Sequence, residues 1–248
     1  MKPFLSVVIP AYNEAHNLRA GVLDSVYDYL SDQKYSWEIL FVDDGSSDET
    51  AKIAEGFAGK RKNIIVLKEP HRGKGGTVIA GMLRAKGEVI LFTDTDQATP
   101  IDQVEKFLPK FKEGYDVVIG SRSGRAGAPI IRKLMAYGFS LLRLLVLRMP
   151  YKDTQCGFKA FRNEAAKRIF GRLQIFDKNS ATGGASVSAG FDLEVLYVAR
   201  KLKYKVSEVP VDWHHKEGTK VNPIKDSLEG LRDLLKVRLN ALQGKYKV

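Results

Sequence analysis

The chain has 248 residues, 44% of them hydrophobic and 28% charged, with 40 Lys and Arg against 29 Asp and Glu and a formal net charge of +11. That length and apolar content exclude a disordered chain and suit one large domain or two intimate halves. The basic balance favours anionic partners: nucleic acid, phosphorylated substrates or an anionic membrane face. A single cysteine, Cys156, excludes an intrachain disulfide.

Strand and helix patterns alternate along the first half. Phe4 to Ile9 reads as a strand, stopped by Pro10 and too short for a signal peptide or anchor. Asn13 is placed to cap a helix carrying Leu18, Val22, Val26 and Leu30. Trp37 to Val42 is a second strand, and Ser46 and Glu49 have capping-box spacing for the helix that follows. Ile64 to Leu67 is a third strand. Gly73-Lys74-Gly75-Gly76 then leads into a short helix with Val78, Ile79, Met82 and Leu83. Glu88 to Thr93 and Asp116 to Gly120 are the fourth and fifth strands. This alternation predicts an α/β fold, a doubly wound and mostly parallel sheet with helices on both faces. Ligands of such sheets bind beyond the carboxyl ends of the strands, where each motif below falls.

Pro129 and Pro150 bracket a largely apolar helical stretch, continuous or hinged at Gly138. At 100° per residue Arg132, Lys133, Arg143 and Arg148 share an arc of about 160°. Such a helix suits a membrane interface, cations toward lipid phosphates, or a buried place in the domain. A later stripe, Ile224, Leu228, Leu231, Leu235, Leu239 and Leu242, fits ordinary packing, membrane contact or dimerisation. No run has the roughly 18 uncharged apolar residues of a spanning helix.

The fourth strand delivers Asp94 and Asp96, one residue apart. In an extended chain both would point to one side and repel unless a cation lies between them. Carboxylates plus phosphate oxygens are the usual coordination of Mg²⁺. The alternative is an Asp-rich turn. Pro10-Ala11-Tyr12-Asn13-Glu14 offers a ring face and an acceptor for a base or ribose, or is simply a turn and helix cap. Asp43 and Asp44 could accept from a base N–H or a ribose hydroxyl, or cap a helix. The glycine-rich segment lets backbone approach a phosphate, with Lys74 supplying charge. It has neither Walker nor G-x-G-x-x-G spacing. His71 and His16 lack partners at ligand spacing, and Cys156 reads as a packing residue.

Val7 to Glu14, Val42 to Thr50, the Asp94/Asp96 pair and Gly120-Ser121-Arg122, in this order, resemble glycosyltransferase family 2, of the GT-A fold. Asp153-Thr-Gln-Cys-Gly-Phe-Lys159, Gly190-Phe-Asp-Leu-Glu194 and Val209-Pro-Val-Asp-Trp-His214 resemble its dolichyl-phosphate β-glucosyltransferase branch. Dolichyl-phosphate mannose synthases are also similar. The resemblance implies a single GT-A domain, residues 1–125 forming the nucleotide-sugar half and 126–248 an amphipathic helical acceptor and membrane-interface half. It implies that Pro10, Ala11, Tyr12 and Glu14 line the base site, that Asp43 reads uracil, and that Asp44 assists near the ribose. Asp94 and Asp96 would hold Mg²⁺ or Mn²⁺ on the donor diphosphate. The Gln that joins the metal in the mannose branch is replaced by Ala98, with Gln97 one residue too early. Arg122 and Arg132 would meet the acceptor phosphate. Asp192 falls where relatives keep a base, with a positioning or electrostatic role here. Trp213, His214, His215 and Lys220 lie in a segment resembling the loop that closes over the diphosphate.

The implied reaction is inverting transfer of glucose from UDP-glucose, a UDP-sugar donor, to a polyprenyl (dolichyl) phosphate, by an enzyme peripheral to the cytoplasmic face of a membrane. GDP-mannose is the rival donor. A sugar nucleotidyltransferase would carry its Gly-rich basic loop right after the first strand, where this chain has Pro-Ala-Tyr-Asn-Glu. Nucleic-acid binding is disfavoured because the basic residues are dispersed and no recognised module appears.

Overall fold

The computed structural model describes residues 2–122, 130–174, 189–214 and 223–246, with backbone alone for 130–137, 189 and 223–229. Seven strands form one sheet: β1 (Leu5–Ala11), β2 (Trp37–Asp43), β3 (Ile64–Lys68), β4 (Val89–Phe92), β5 (Val117–Arg122), β6 (Lys159–Arg162) and β7 (Val206–Val211). Their order is β3-β2-β1-β4-β6-β5-β7. β6 runs antiparallel to both β4 and β5, and the remaining pairings are parallel.

Every residue of β1, β2 and β4 is buried. These strands carry unbroken apolar runs because both faces of the sheet are covered. Side chains alternate between two cores. Val8, Leu40, Val42, Ile90 and Phe92 face one, with α4 (Gly73–Arg84), α7 (Asn163–Phe170) and α8 (Ala189–Lys201) over it. Val7, Ile9, Ile39, Phe41 and Leu91 face the other, under α2 (Val22–Ser31) and the 3-10 helix Ile101–Lys106.

Several local expectations are corrected. The first helix is two, α1 (Ala15–Arg19) and α2, because Gly21 at φ +84° turns the chain between them. Asn13 does not cap it. At φ +55° its Oδ1 accepts the Ser47 N–H (2.8 Å) and ties the ends of β1 and β2 together. The Ser46/Glu49 capping box does not form. Asp48 Oδ1 accepts the Thr50 N–H (2.9 Å) at the start of α3 (Thr50–Ala58), and Ser46 Oγ accepts from Asn13 N (2.9 Å). The glycine-rich segment is not a loop before a short helix. It is the first turn of α4, which is 12 residues long.

α5 (Leu108–Lys112) precedes β5. α6 (Ile130–Leu147) is one continuous helix through Gly138, and α9 (Pro223–Leu242) packs against it and against α8. Arg143 does not share the exposed place of Arg148. It is 4% exposed and donates to Thr154 Oγ1 (3.2 Å), Ser140 Oγ (2.9 Å) and the Tyr151 carbonyl. In the described part of the α9 stripe, Leu231, Leu235, Leu239 and Leu242 are exposed rather than core, and Leu234 and Val237 are buried. None of the described helices is long and apolar enough to cross a membrane.

Candidate active site

The carboxyl ends of β1, β2 and β4 meet in one corner. The Ala11 carbonyl accepts the Asp44 N–H (2.9 Å), and the Pro10 carbonyl accepts from Thr95 Oγ1 (2.6 Å). Thus Pro10 and Ala11 fasten the second strand end and the Asp94–Asp96 segment to the first. Asp43 is 3% exposed. Its Oδ2 accepts the Ser46 N–H (3.2 Å), but its Oδ1 is buried without a hydrogen-bond partner. An orphaned buried carboxylate oxygen costs folding free energy, on the order of 1–3 kcal/mol, and suits a donor supplied by a ligand. Asp44 is already engaged, Oδ2 with His71 Nδ1 (2.8 Å) and Oδ1 with the Arg72 N–H (2.8 Å). Its carboxylate therefore fixes His71, whose ring stacks on Tyr12 with centroids 4.1 Å apart and planes 15° apart. Sequence reasoning misses His71 because its partners lie about 27 and 59 residues away, and stacking leaves no local pattern.

Asp94 and Asp96 do not lie in an extended strand. β4 ends at Phe92, and the two residues sit in a turn closed by Gln97 N–H to the Asp94 carbonyl (3.2 Å), with Gln97 at φ +50°. The Ala98 N–H donates to Asp96 Oδ1 (2.9 Å), and the Ala98 carbonyl accepts the His214 N–H (2.8 Å), tying the segment after β7 to this turn. Gln97 Nε2 donates to the Asp94 carbonyl (2.9 Å), and its buried Oε1 has no partner.

A cation already stands at Asp94. Lys74 Nζ, from the first turn of α4, is 2.5 Å from Asp94 Oδ1. Burial alone would lower the Lys74 pKa, but the charges of Asp94, Asp192 and Asp96 outweigh it and raise the value above the usual lysine range. Glu14 is also raised, which for a carboxylate favours the neutral form. Burial raises it first, and Asp96 and Asp94 add to that against a bond from Asn17. Glu14, Lys74, Asp94, Asp96 and Asp192 thus share one electrostatic neighbourhood. Among the described residues no group of three or more His, Cys, Asp or Glu side chains could hold a metal. Two carboxylates still fit Mg²⁺ or Mn²⁺, which fill their remaining positions with substrate phosphates and water. The Lys74 ammonium shows that the place favours positive charge.

Asp192 is held by Lys159, whose Nζ is 2.6 Å from Asp192 Oδ1 and also donates to the Cys156 carbonyl (2.5 Å). Lys159 is 0% exposed. Removing one member of a buried pair strands the other charge. Lys159→Met is expected to cost about 3–5 kcal/mol in urea unfolding, and Lys159→Met with Asp192→Asn less than that alone.

Arg122 does not hold its fork open for a phosphate. Nε and Nη2 bind Asp153 Oδ2 (2.6 Å) and Oδ1 (2.9 Å), and the guanidinium lies 5.8 Å from the Trp213 ring. Burial alone would raise Asp153, but Arg122 outweighs it and holds the carboxyl below its usual range. Beside this pair is a cavity of about 420 Å³ lined by residues including Arg122, Phe139, Arg143, Lys152, Thr154 and Glu208. Arg143 Nε is buried there without a partner. His215 and Lys220 lie outside the described residues, as does the side chain of Arg132. Cys156 is 1% exposed and packs in the core.

A sheet whose strand ends gather these carboxylates, with a mixed strand order and helices on both faces, is the GT-A architecture of glycosyltransferases. Residues 6–170 match the model of Glycosyl transferase family 2. The chain belongs to that family. It is 36% identical over 263 residues to a dolichyl-phosphate beta-glucosyltransferase of Dictyostelium discoideum, covering 99% of this chain and 77% of that protein. It is 34% identical to the Homo sapiens protein of the same name, covering 98% and 78%. These relatives mark it as a hexosyltransferase. Among solved structures, mannosyl-3-phosphoglycerate synthase from Rubrobacter xylanophilus superposes with a TM-score of 0.64 at 16% identity, over 99% of this chain and 76% of that one. Glucosyl-3-phosphoglycerate synthase from Mycobacterium tuberculosis, in complex with Mn²⁺, UDP and glucosyl-3-phosphoglycerate, gives 0.61 at 18%, over 95% and 80%. These two share the fold.

Proposed function

We propose that the chain transfers glucose from UDP-glucose to a polyprenyl phosphate such as dolichyl phosphate, with inversion at the anomeric carbon. The observation that carries this reading is the pairing of Asp192 with buried Lys159. A sugar-hydroxyl acceptor needs a base to take its proton, whereas a carboxylate committed to an ammonium serves to position. A phosphate oxygen is already ionised at neutral pH and needs no such base.

The uracil would lie against the Tyr12/His71 stack, with its N3–H donated to the orphaned Asp43 Oδ1. Asp94 and Asp96 would hold the divalent ion, which when bound supplies Lewis-acid stabilisation of the departing diphosphate. Lys74 and the N-terminal turn of α4 would add positive charge and backbone N–H donors. The acceptor phosphate would enter the cavity beside Arg122, where Arg143 and Lys152 supply further cations. At about 4 Å two unit charges repel by roughly 4 kcal/mol at an effective dielectric of 20, so gathering these cations offsets the approach of one anion to another.

The exposed leucines support a peripheral membrane docking. Leu141, Leu142, Leu144 and Leu145 lie exposed on α6, beside the cavity-lining Phe139 and Arg143, and α9 adds exposed Leu235, Leu239 and Leu242. Apolar faces flanked by basic residues suit the surface of an anionic bilayer, its cytoplasmic face in this reading. The double variant Leu145→Asp/Leu242→Asp is expected to lose most of its flotation with anionic vesicles while its thermal unfolding stays within a few degrees, since both positions are 69% exposed.

The test is a panel of labelled UDP-glucose, UDP-N-acetylglucosamine and GDP-mannose, each offered dolichyl phosphate with and without Mn²⁺. Label from UDP-glucose should enter the lipid phase only with metal. Exclusive use of GDP-mannose, or label only in water-soluble product, would overturn the reading.

A further inference from the structure

We infer that Lys74 is a resident counter-ion occupying the metal's place on Asp94, so that the divalent ion binds well only when the donor diphosphate arrives to take Lys74 over. This rests on the reading of Asp94 and Asp96 as metal-holding residues and adds an order of binding to it.

The geometry favours the lysine as the group that moves. Asp94 Oδ1 is in contact with Lys74 Nζ at 2.5 Å. On the other side the carboxylate is backed by Gly157, so closely that a Cβ there would fall 2.0 Å from Oδ2 and 2.5 Å from Cγ. The carboxylate is thus wedged between a lysine and a backbone. A divalent ion binding Asp94 would meet the ammonium at close range. Like charges that near each other repel strongly in a partly buried site. The lysine has a flexible four-carbon stem and is 27% exposed, so it can swing. Its Cα, in the first turn of α4, stays put.

Where Lys74 goes depends on the ligand. Without a diphosphate the swing leaves an ammonium among departing partners: of the other two carboxylates acting on it, Asp192 is held by Lys159 and Asp96 would be shared with the metal. With a diphosphate present, the phosphate oxygens supply a new partner for Lys74 and further ligands for the metal. Metal and nucleotide therefore bind cooperatively through this one side chain, each improving the other by the same factor.

The experiment measures Mn²⁺ binding by electron paramagnetic resonance, with and without UDP, in the wild type and in Lys74→Met and Lys74→Gln. No turnover is involved. The wild type should bind Mn²⁺ weakly alone and at least tenfold tighter with UDP. Both variants should bind Mn²⁺ alone about tenfold tighter than the wild type, with the UDP-induced gain falling several-fold. If the wild type shows the UDP-dependent gain and folded variants keep both the weak binding and the full gain, the inference fails while the metal reading stands. If the wild type binds no Mn²⁺ even with UDP, the metal reading itself fails and the inference with it. A readout on the unmodified protein guards against misfolded variants: the Lys74 side-chain resonance should move with Mg²⁺ and UDP together, and a full shift with Mg²⁺ alone would also overturn the proposal.

Discussion

Asp96→Ala is expected to lower the proposed glucosyl transfer by about 10³-fold or more while leaving the fold intact. The loss corresponds to about 4 kcal/mol of leaving-group stabilisation, within what a Lewis-acid metal supplies. The folding cost is far smaller. Asp96 accepts a backbone bond from Ala98, worth about 1 kcal/mol net, and its removal relieves repulsion with Glu14. Transfer assays paired with circular-dichroism melts check both halves. Near-normal turnover in a folded Asp96→Ala protein would remove Asp96 from the metal assignment.

Gly157→Ala is the second large effect, and it acts through a neighbour. Its added Cβ would lie 2.0 Å from Asp94 Oδ2 and 2.7 Å from Oδ1, distances no real contact tolerates. The atoms in the way are the end of a side chain that is 35% exposed, so Asp94 can rotate toward solvent at modest cost. The expected result is a drop of at least about 10²-fold in transfer, with unfolding free energy changed by less than about 1.5 kcal/mol. Loss of Mn²⁺ binding in the same variant would place the effect at the metal rather than at the acceptor. Retained activity would mean that the wedged position of Asp94 does not matter. The glycine of the Asp153–Lys159 string is, on this geometry, the wall against which Asp94 is set.

The parts of this fold that are legible in the sequence are those specified locally. β1, β2 and β4 are buried on both faces, so they read as continuous apolar runs, and their ends carry Pro10, Asp43 and Asp94 in plain view. β6 escapes because it is four residues long and begins with a lysine, Lys159, whose burial makes sense only once Asp192 stands beside it. β7 escapes because Glu208 and Pro210 interrupt its apolar pattern; as the last strand of the sheet it accommodates a proline readily.

The same division holds in the site. Asp94 and Asp96 stand out by their spacing, although they lie in a turn and do not share the face of a strand. Arg122 stands out too, but its bidentate partner Asp153 is 31 residues away, and nothing local pairs them. Helix periodicity places Arg143 on an outward arc with Arg148. Periodicity gives an angle and not an environment, and the loop at Tyr151–Thr154 folds over Arg143 and buries it. In α9 the mismatch runs the other way. A regular leucine stripe has the pattern of a core face, yet the core takes Leu234 and Val237 and leaves Leu231, Leu235, Leu239 and Leu242 outside.

If Asp94 and Asp96 together hold one divalent ion against the diphosphate of a uridine nucleotide, crystals grown with Mn²⁺ and UDP will show it. Diffraction recorded at the manganese absorption edge should give one anomalous peak within coordination distance of both carboxylates and of the diphosphate, with uracil beside Asp43. A well-ordered UDP elsewhere, or bound nucleotide with no manganese at those carboxylates, would refute the assignment.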